Sequence, residues 1–366
     1  MKTRIRTCFS PAALLIACLG LAAWAQEVTP TVVEPHARYA VMPPHLRGDL
    51  AFTATSSLPN WNGSFSYGGT RYTYNMVGSA PSADTTVSIT TYIIPVKIVI
   101  TNSNGTKSTY DPAHVLSNGN SVTTNTLDSP LFNSSTTYTQ GGVDVGTTQY
   151  VDAFQRANFW GTVKTHTNSH LLLSPTVLAE QTLSPSRAYG RTGSVFGFTA
   201  ALVDINWFDA QIPNLVSKLG IQPHQFAIFL TYNTYLTQGG QCCIGGYHSS
   251  EGSISNPQSY AEAAYVSKVG AFSQDVSALS HEIGEWADDP LTVNYNGNNT
   301  PCGILEVGDP LENNPNYGAY KYVLHGFTYN LQDLVTLPYF GAPTSTTVHG
   351  WLSFQGESLG VCSNGS

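Results

Sequence analysis

Residues 273–290, SQDVSALSHEIGEWADDP, decide how the fold is read. At 100° per residue, Val276, Leu279, Ile283 and Trp286 recur at spacings of three and four and make one apolar stripe, the mark of a helix lying on a core. His281 and Glu285, with Asp288 one turn further on, fall on nearly the opposite side. The expectation is a helix that presses one face inward and turns an imidazole and two carboxylates toward a cleft, with Glu282 between the faces. Ser273 is placed to cap this helix, Asp275 suits the positive end of its dipole, and Pro290 follows its end. Asp288 and Asp289 oppose the dipole at the other end, at roughly 0.3–1 kcal/mol each when exposed. A bound cation would offset that, as would solvent or Lys268.

Outward from the helix, Tyr260 to Val269 reads as an edge strand and Phe226–Tyr232, FAIFLTY, as a buried one. Between them Gln238 to Gln258 is crowded with Gly, Ser and Cys and reads as a loop. Ile212 to Leu219 predicts a helix, with Pro213 in its first turn and Gly220 after its end. Residues 147–161, TTQYVDAFQRANFWG, predict another, terminated by Gly161. Residues 86–101, TVSITTYIIPVKIVIT, form a β-branched strand in which Pro95 implies an edge or a bulge. Trp61 to Tyr74, with Gly68-Gly69, predicts a hairpin. The fold class expected is α+β: a β-rich N-terminal region, then a mixed sheet backing the helix. The divisions are 1–25, 26–84 as a linker or pro-region with the hairpin, 85–200 as the β-rich region, and 201–366 as the region carrying the motif.

The N-terminus supports an exported chain. Lys2, Arg4 and Arg6 precede an apolar run from Pro11 to Trp24 that ends in Ala23-Trp24-Ala25, which is the form of a secretory signal over residues 1–25. Leu15-Ile16-Ala17-Cys18 resembles a lipoprotein box, but the apolar run continues past Cys18, so a secreted product is preferred to a lipid-anchored one. No later stretch is long and apolar enough to be a transmembrane segment. Charged residues are 10% of the chain and the formal net charge is -8, with no basic cluster, which argues against a nucleic-acid partner. Outside the signal the cysteines are Cys242, Cys243, Cys302 and Cys362; in an oxidising compartment they favour two disulfides, with three pairings open.

His281-Glu282-Ile283-Gly284-Glu285 is one residue away from H-E-x-x-H, in which the residues at i and i+4 hold zinc and the intervening Glu acts as general base. Here Glu285 takes the second ligand position. A third ligand is needed, and residues 304–310, ILEVGDP, offer Glu306 and Asp309 after the Asn/Gly-rich stretch 294–300. One imidazole with two carboxylates is a hard, anionic set, suited to Zn2+ or to another divalent metal. An exposed helix face with one His and two Glu also needs no function at all. The chain has no G-x-S-x-G elbow of a serine hydrolase. No other carboxylate pair stands out for glycoside hydrolysis.

The stretches SHEIGEWADDP and LEVGDP together resemble a group of secreted proteins patterned H-E-x-x-E, Asn/Asp-Pro, E-I-x-D. The group includes the plant Exordium-type proteins and bacterial relatives that look like zincin metallopeptidases. The likeness covers about residues 225–310, and it departs at Cys302, which precedes EVGD where the relatives place a Cys after it. It implies a zincin-like mixed sheet with an active-site helix in region 201–366. By likeness to thermolysin-type sites it implies Glu306 as metal ligand and Asp309 as the partner that orients His281, or the reverse. The relatives also carry a Cys-Gly-aromatic-His element, matched by Gly246-Tyr247-His248 after Cys242-Cys243. His248 is thereby a candidate ligand or oxyanion donor; Tyr247 is a weaker oxyanion candidate, for which aromatic packing is the preferred role. The implied function is a secreted zinc-dependent metallopeptidase acting on a protein or peptide substrate through a metal-activated water, with Glu282 as general base. The alternative is a non-catalytic exported or cell-surface-associated binding protein that keeps a degenerate site.

Overall fold

The computed structural model describes residues 31–32, 35–47, 57–67, 69–253, 255–292, 305–309, 320–332, 334–335, 350–354 and 358–361. The signal expected over 1–25, Cys18, the stretch 294–300, Cys302 and Cys362 lie outside them. The chain is a mixed α+β protein, rich in strand and organised on one large mixed sheet. Eight elements position the candidate site: β1 (Pro35–Val41), β2 (Thr86–Thr101), α1 (Tyr150–Asn158), β3 (His170–Val177), β4 (Phe226–Tyr232), β5 (Gln241–Ser253), β6 (Asn256–Tyr265) and α2 (Ser277–Asp288). The sheet order is β3-β2-β4-β6-β5, continuing through Thr234–Gln238, Phe198–Asp204 and Gly190–Val195 to Thr31–Val32, while β1 pairs in parallel along β5. Because β4 pairs with β2, the sheet runs across residue 200 without a break.

Where the strand signal is local, prediction and structure coincide. The β-branched run forms β2 over the expected residues, and Asn60–Tyr67 and Thr70–Val77 make the aromatic hairpin. FAIFLTY forms β4, buried along its whole length between β2 and β6. Pro95, however, is neither at an edge nor in a bulge. It lies in an interior strand, at the gap where β3 stops opposite Ile93 and Gln181–Leu183 begins opposite Val96, a place where a missing ladder donor costs nothing.

Two readings are corrected. Gln238 to Gln258 is not a loop: it contains β5 and the start of β6, paired antiparallel from Gly246↔Ala263 to Ser253↔Asn256. Gly245 and Gly246 make room for neighbours. A Cβ on Gly245 would meet the Ser273 hydroxyl, and one on Gly246 would lie 2.6 Å from Glu282 Oε1 and 2.9 Å from the Glu262 carbonyl oxygen. For the same reason β6, expected at an edge, is interior, between β5 and β4.

The helices keep their positions with altered ends. Ile212–Leu219 closes on Gly220 at φ 68, as its sequence predicts. Helix α1 begins at Tyr150, after the strand Val143–Thr148, and Gly161 lies inside a separate short helix, Trp160–Val163, so it terminates nothing. Helix α2 starts at Ser277 with Val276 as its N-cap; Ser273 has φ 59 and does not cap it. Asp275 accepts from Val276 N at 2.6 Å and Asn330 N at 2.8 Å, and so ties the helix start to the hairpin Tyr320–Leu324/Phe327–Leu331. The sulfurs of Cys242 and Cys243 are joined to each other, on adjacent residues of β5.

Candidate metal centre

Helix α2 crosses the sheet with its apolar stripe seated as expected. Trp286 stacks on Phe226 with ring centroids 3.9 Å apart and donates Nε1–H to Ser259 Oγ at 2.9 Å. The polar face does not open to a cleft: His281, Glu282 and Glu285 have no exposed surface, and Asp288 has 1%. Tyr39 of β1 stacks over the His281 ring at 3.8 Å between centroids. Gly284 lets α2 approach Val307 and the Tyr150 hydroxyl. Both faces of the helix are therefore inside the protein, and a charge on it must be matched by a partner, a proton or a cation.

His281 is held from one side. Its Nδ1 is hydrogen-bonded to Gln332 Oε1, and Gln332 is itself fixed by accepting on its carbonyl from Tyr150 OH at 2.9 Å and donating its N–H to Ser280 Oγ at 2.7 Å. An oxygen acceptor at Nδ1 puts the hydrogen there and aims Nε2 at Glu285 Oε1, 2.9 Å away, and Asp309 Oδ1, 3.3 Å away. Neither contact has hydrogen-bond geometry: Nε2, Oε1 of Glu285 and Oδ1 of Asp309 are all buried with no hydrogen-bond partner among the described residues. Donors at about 2.1 Å around a tetrahedral zinc lie about 3.4 Å from one another, so this spacing suits ligands to a common ion.

His248 comes from β5. Side chains alternate along a strand, so Gly246 and His248 face α2 while Tyr247 enters the opposite core beside Tyr260, which is the packing role expected of it. His248 Nδ1 lies 3.1 Å from Glu285 Oε2 and 3.7 Å from Glu282 Oε2, and Nε2 faces the Asp289 carbonyl oxygen at 3.1 Å. Both carboxylate oxygens of Glu282 are buried without a hydrogen-bond partner among the described residues. Glu262, on β6, packs nearby, with Oε1 accepting from Thr231 Oγ1 at 2.8 Å.

The electrostatics follow from burial. Burial pushes the Glu282 carboxyl up to about 8, against the lowering effect of His248. Burial also pushes Glu285 up, but His281 and His248 together outweigh it and hold that carboxyl down at about 2. Burial pulls both histidines down, and the surrounding carboxylates raise them well above the ordinary range instead. Glu306 and Asp288 are raised by burial and then by neighbouring carboxylates.

The structure thus brings His281, Glu285 and Asp309 together, and His248, Glu282 and Glu285 together, each set with ligand atoms within 4.8 Å of one another. Glu306 is buried next to them but belongs to neither set. Asp309 sits at Nε2 of His281 rather than behind the ring, and the partner behind the ring is Gln332. That residue and Tyr39 were not among the sequence candidates. Nothing in the local sequence marks Gln332, which lies 51 residues beyond His281. No family model matches the chain, and no curated protein and no solved structure matches it.

Proposed function

We propose that the chain is a divalent-metal protein whose centre is a hydrolytic site acting on peptide bonds. One observation carries the reading: the Nε2 of His281, its ring oriented by Gln332, converges with Glu285 and Asp309 at contacts of 2.9 and 3.3 Å that are not hydrogen bonds. His281, Glu285 and Asp309 would hold the ion, Zn2+ by their chemistry or another divalent metal. Such an ion supplies a polarised carbonyl and a water whose pKa falls toward about 7. Glu282 would take and return the proton. Its oxygens have no competing hydrogen bond, and its carboxyl, pushed up to about 8, is matched to proton transfer near neutrality. The zincin resemblance of HEIGE and EVGD supports the same reading, as does an exported location.

The complete burial of His281, Glu282 and Glu285 favours a second reading. Closed sites are the mark of structural metals, whereas catalytic ones keep a position open. The chain would then be an exported or cell-surface-associated binding protein with a non-catalytic centre. Metal analysis of the purified mature chain, repeated on His281→Ala, tests the shared premise. Stoichiometric metal in the parent and a reduced content in the variant are expected, and a metal-free parent rejects both readings. Cleavage of a generic protein substrate, abolished by chelator, restored by zinc and lost in Glu282→Gln, selects the peptidase. No cleavage by the loaded protein selects the structural metal.

A further inference from the structure

We propose that Glu285 bridges two cations, the second held by His248 Nδ1, Glu285 Oε2 and Glu282 Oε2. This rests on the reading that the cluster holds metal at all, and it adds a site that the H-E-x-x-E motif does not contain. The two histidines reach Glu285 from opposite sides, His248 Nδ1 through a hydrogen bond to Oε2 and His281 Nε2 without one. Each has one ring nitrogen against an uncharged oxygen, Gln332 Oε1 for His281 and the Asp289 carbonyl for His248, and each aims the other nitrogen at Glu285. They meet different oxygens of that carboxylate: His281 Nε2 lies 2.9 Å from Oε1, and His248 Nδ1 lies 3.1 Å from Oε2. The Asp289 carbonyl and the Glu285 carboxylate both only accept, so without a cation His248 faces an acceptor at each nitrogen; a cation at Nδ1 would take the place of the proton there and leave the other hydrogen on Nε2. The distances from Nδ1 to Glu285 and Glu282, 3.1 and 3.7 Å, fall on either side of the roughly 3.4 Å expected between two donors on one tetrahedral ion.

A protonated His248 paired with Glu285 would account for one contact but not for Glu282. Both oxygens of that carboxylate are fully buried and without a hydrogen-bond partner among the described residues, and β5 carries a glycine, Gly246, where any Cβ would meet Glu282 Oε1 at 2.6 Å. The sheet is thus shaped to admit the carboxylate beside His248. The carboxylates of Glu282, Glu285, Asp288 and Glu306 are buried around only two imidazoles, so one divalent ion leaves negative charge that a second would neutralise. The mixed imidazole and carboxylate donors suit Zn2+, Mn2+ or Co2+. Glu282 then serves as a ligand through Oε2 and keeps Oε1 for a proton.

The test is metal stoichiometry of the full chain after equilibrium dialysis against Zn2+, on the parent, His248→Gln and Glu282→Gln. Two ions per chain are expected in the parent and one in each variant. One ion in the parent overturns the second site and leaves the proposed function standing; none overturns both. Two ions in the parent and in both variants overturns the assignment to His248 and Glu282. Should the variants fail to fold, the Mn2+-loaded parent decides: an exchange-coupled EPR spectrum at two ions per chain is expected, and an uncoupled one overturns the bridge.

Discussion

Asp152 on α1 and Glu282 on α2 are both buried carboxylates beside a histidine, on helices that pack against each other through Tyr150 and Gly284. Asp152 is saturated. Its Oδ2 accepts from Thr148 Oγ1 and from His170 Nδ1, each at 2.8 Å, and its Oδ1 accepts from Leu171 N at 3.0 Å. Those bonds pin α1 to β3. Glu282 has burial at least as deep, a histidine at 3.7 Å, and no hydrogen-bond partner for either oxygen among the described residues. The same residue types thus make a joint in one place and a carboxylate without a hydrogen-bonding partner, among the described residues, in the other. What separates them is whether the acceptors already have their hydrogens.

Removing metal should widen the contrast most. A cation present at a thousandfold over its Kd stabilises the fold by about 4 kcal/mol, so chelation should lower the melting temperature of the parent chain and leave that of the double variant His248→Gln/His281→Ala unmoved. Equal melting curves with and without chelator would erase the distinction between the two carboxylates. Asp152→Ala gives the opposite pattern. It strands the Leu171 amide and the Thr148 hydroxyl at about 1–3 kcal/mol, with metal content unchanged. Loss of metal in that variant, at temperatures where it remains folded, would show that the two helices are one functional unit.

Gln332→Ala addresses the orientation of His281 rather than its presence. Partners that fix a metal-binding histidine are worth about 10–100-fold in affinity, or roughly 1.4–2.7 kcal/mol. The variant should weaken metal binding by that factor in competition titrations while keeping the stoichiometry. An unchanged affinity would mean that the Tyr39 stack alone sets the ring.

Gln332 also marks the limit of what the sequence discloses. Strands β2 and β4 and the helix Ile212–Leu219 were legible residue by residue, because β-branched runs and a Pro-to-Gly frame are local signals. The α2 stripe was legible by its period, and HEIGE with EVGD by its chemistry. The loop reading of Gln238 to Gln258 failed because glycine carries two meanings, turn flexibility and room for a neighbour; at Gly246 the neighbour is α2 itself, and at Gly245 it is Phe272 and Ser273 ahead of that helix. The expected cleft failed for a related reason. Amphipathic spacing shows that two faces differ, but not that the polar one meets water; here β1, residues 305–309 and Gln332 cover it. The partner behind His281 is an uncharged amide from a distant segment, and no spacing rule points there.

The smallest effect per step is the dependence on pH, and it distinguishes Glu282 from a merely buried acid. Its carboxyl is pushed from 4.5 up to about 8, so the folded, metal-free chain keeps a proton there that the unfolded chain has released. That contribution to stability is complete below about 4.5 and is lost as the pH rises through 8. Glu285, held down at about 2, has the opposite sign: its contribution is present above about 4.5 and is lost only as the pH falls through 2. Between pH 5 and 8 the metal-free protein should therefore lose stability as the pH rises. A cation replaces the proton on Glu282, so metal affinity should rise over the same interval by about tenfold per pH unit for one proton displaced. Melting temperatures of metal-free and metal-loaded protein should diverge with increasing pH, and Glu282→Gln should flatten the metal-free slope because its amide has no proton to lose. A slope that survives undiminished in Glu282→Gln would assign the titration to the other buried groups that are raised on folding, Asp275, Asp288, Glu306, Asp309, His248 and His281, and would leave Glu282 outside the set of groups that exchange a proton for a metal.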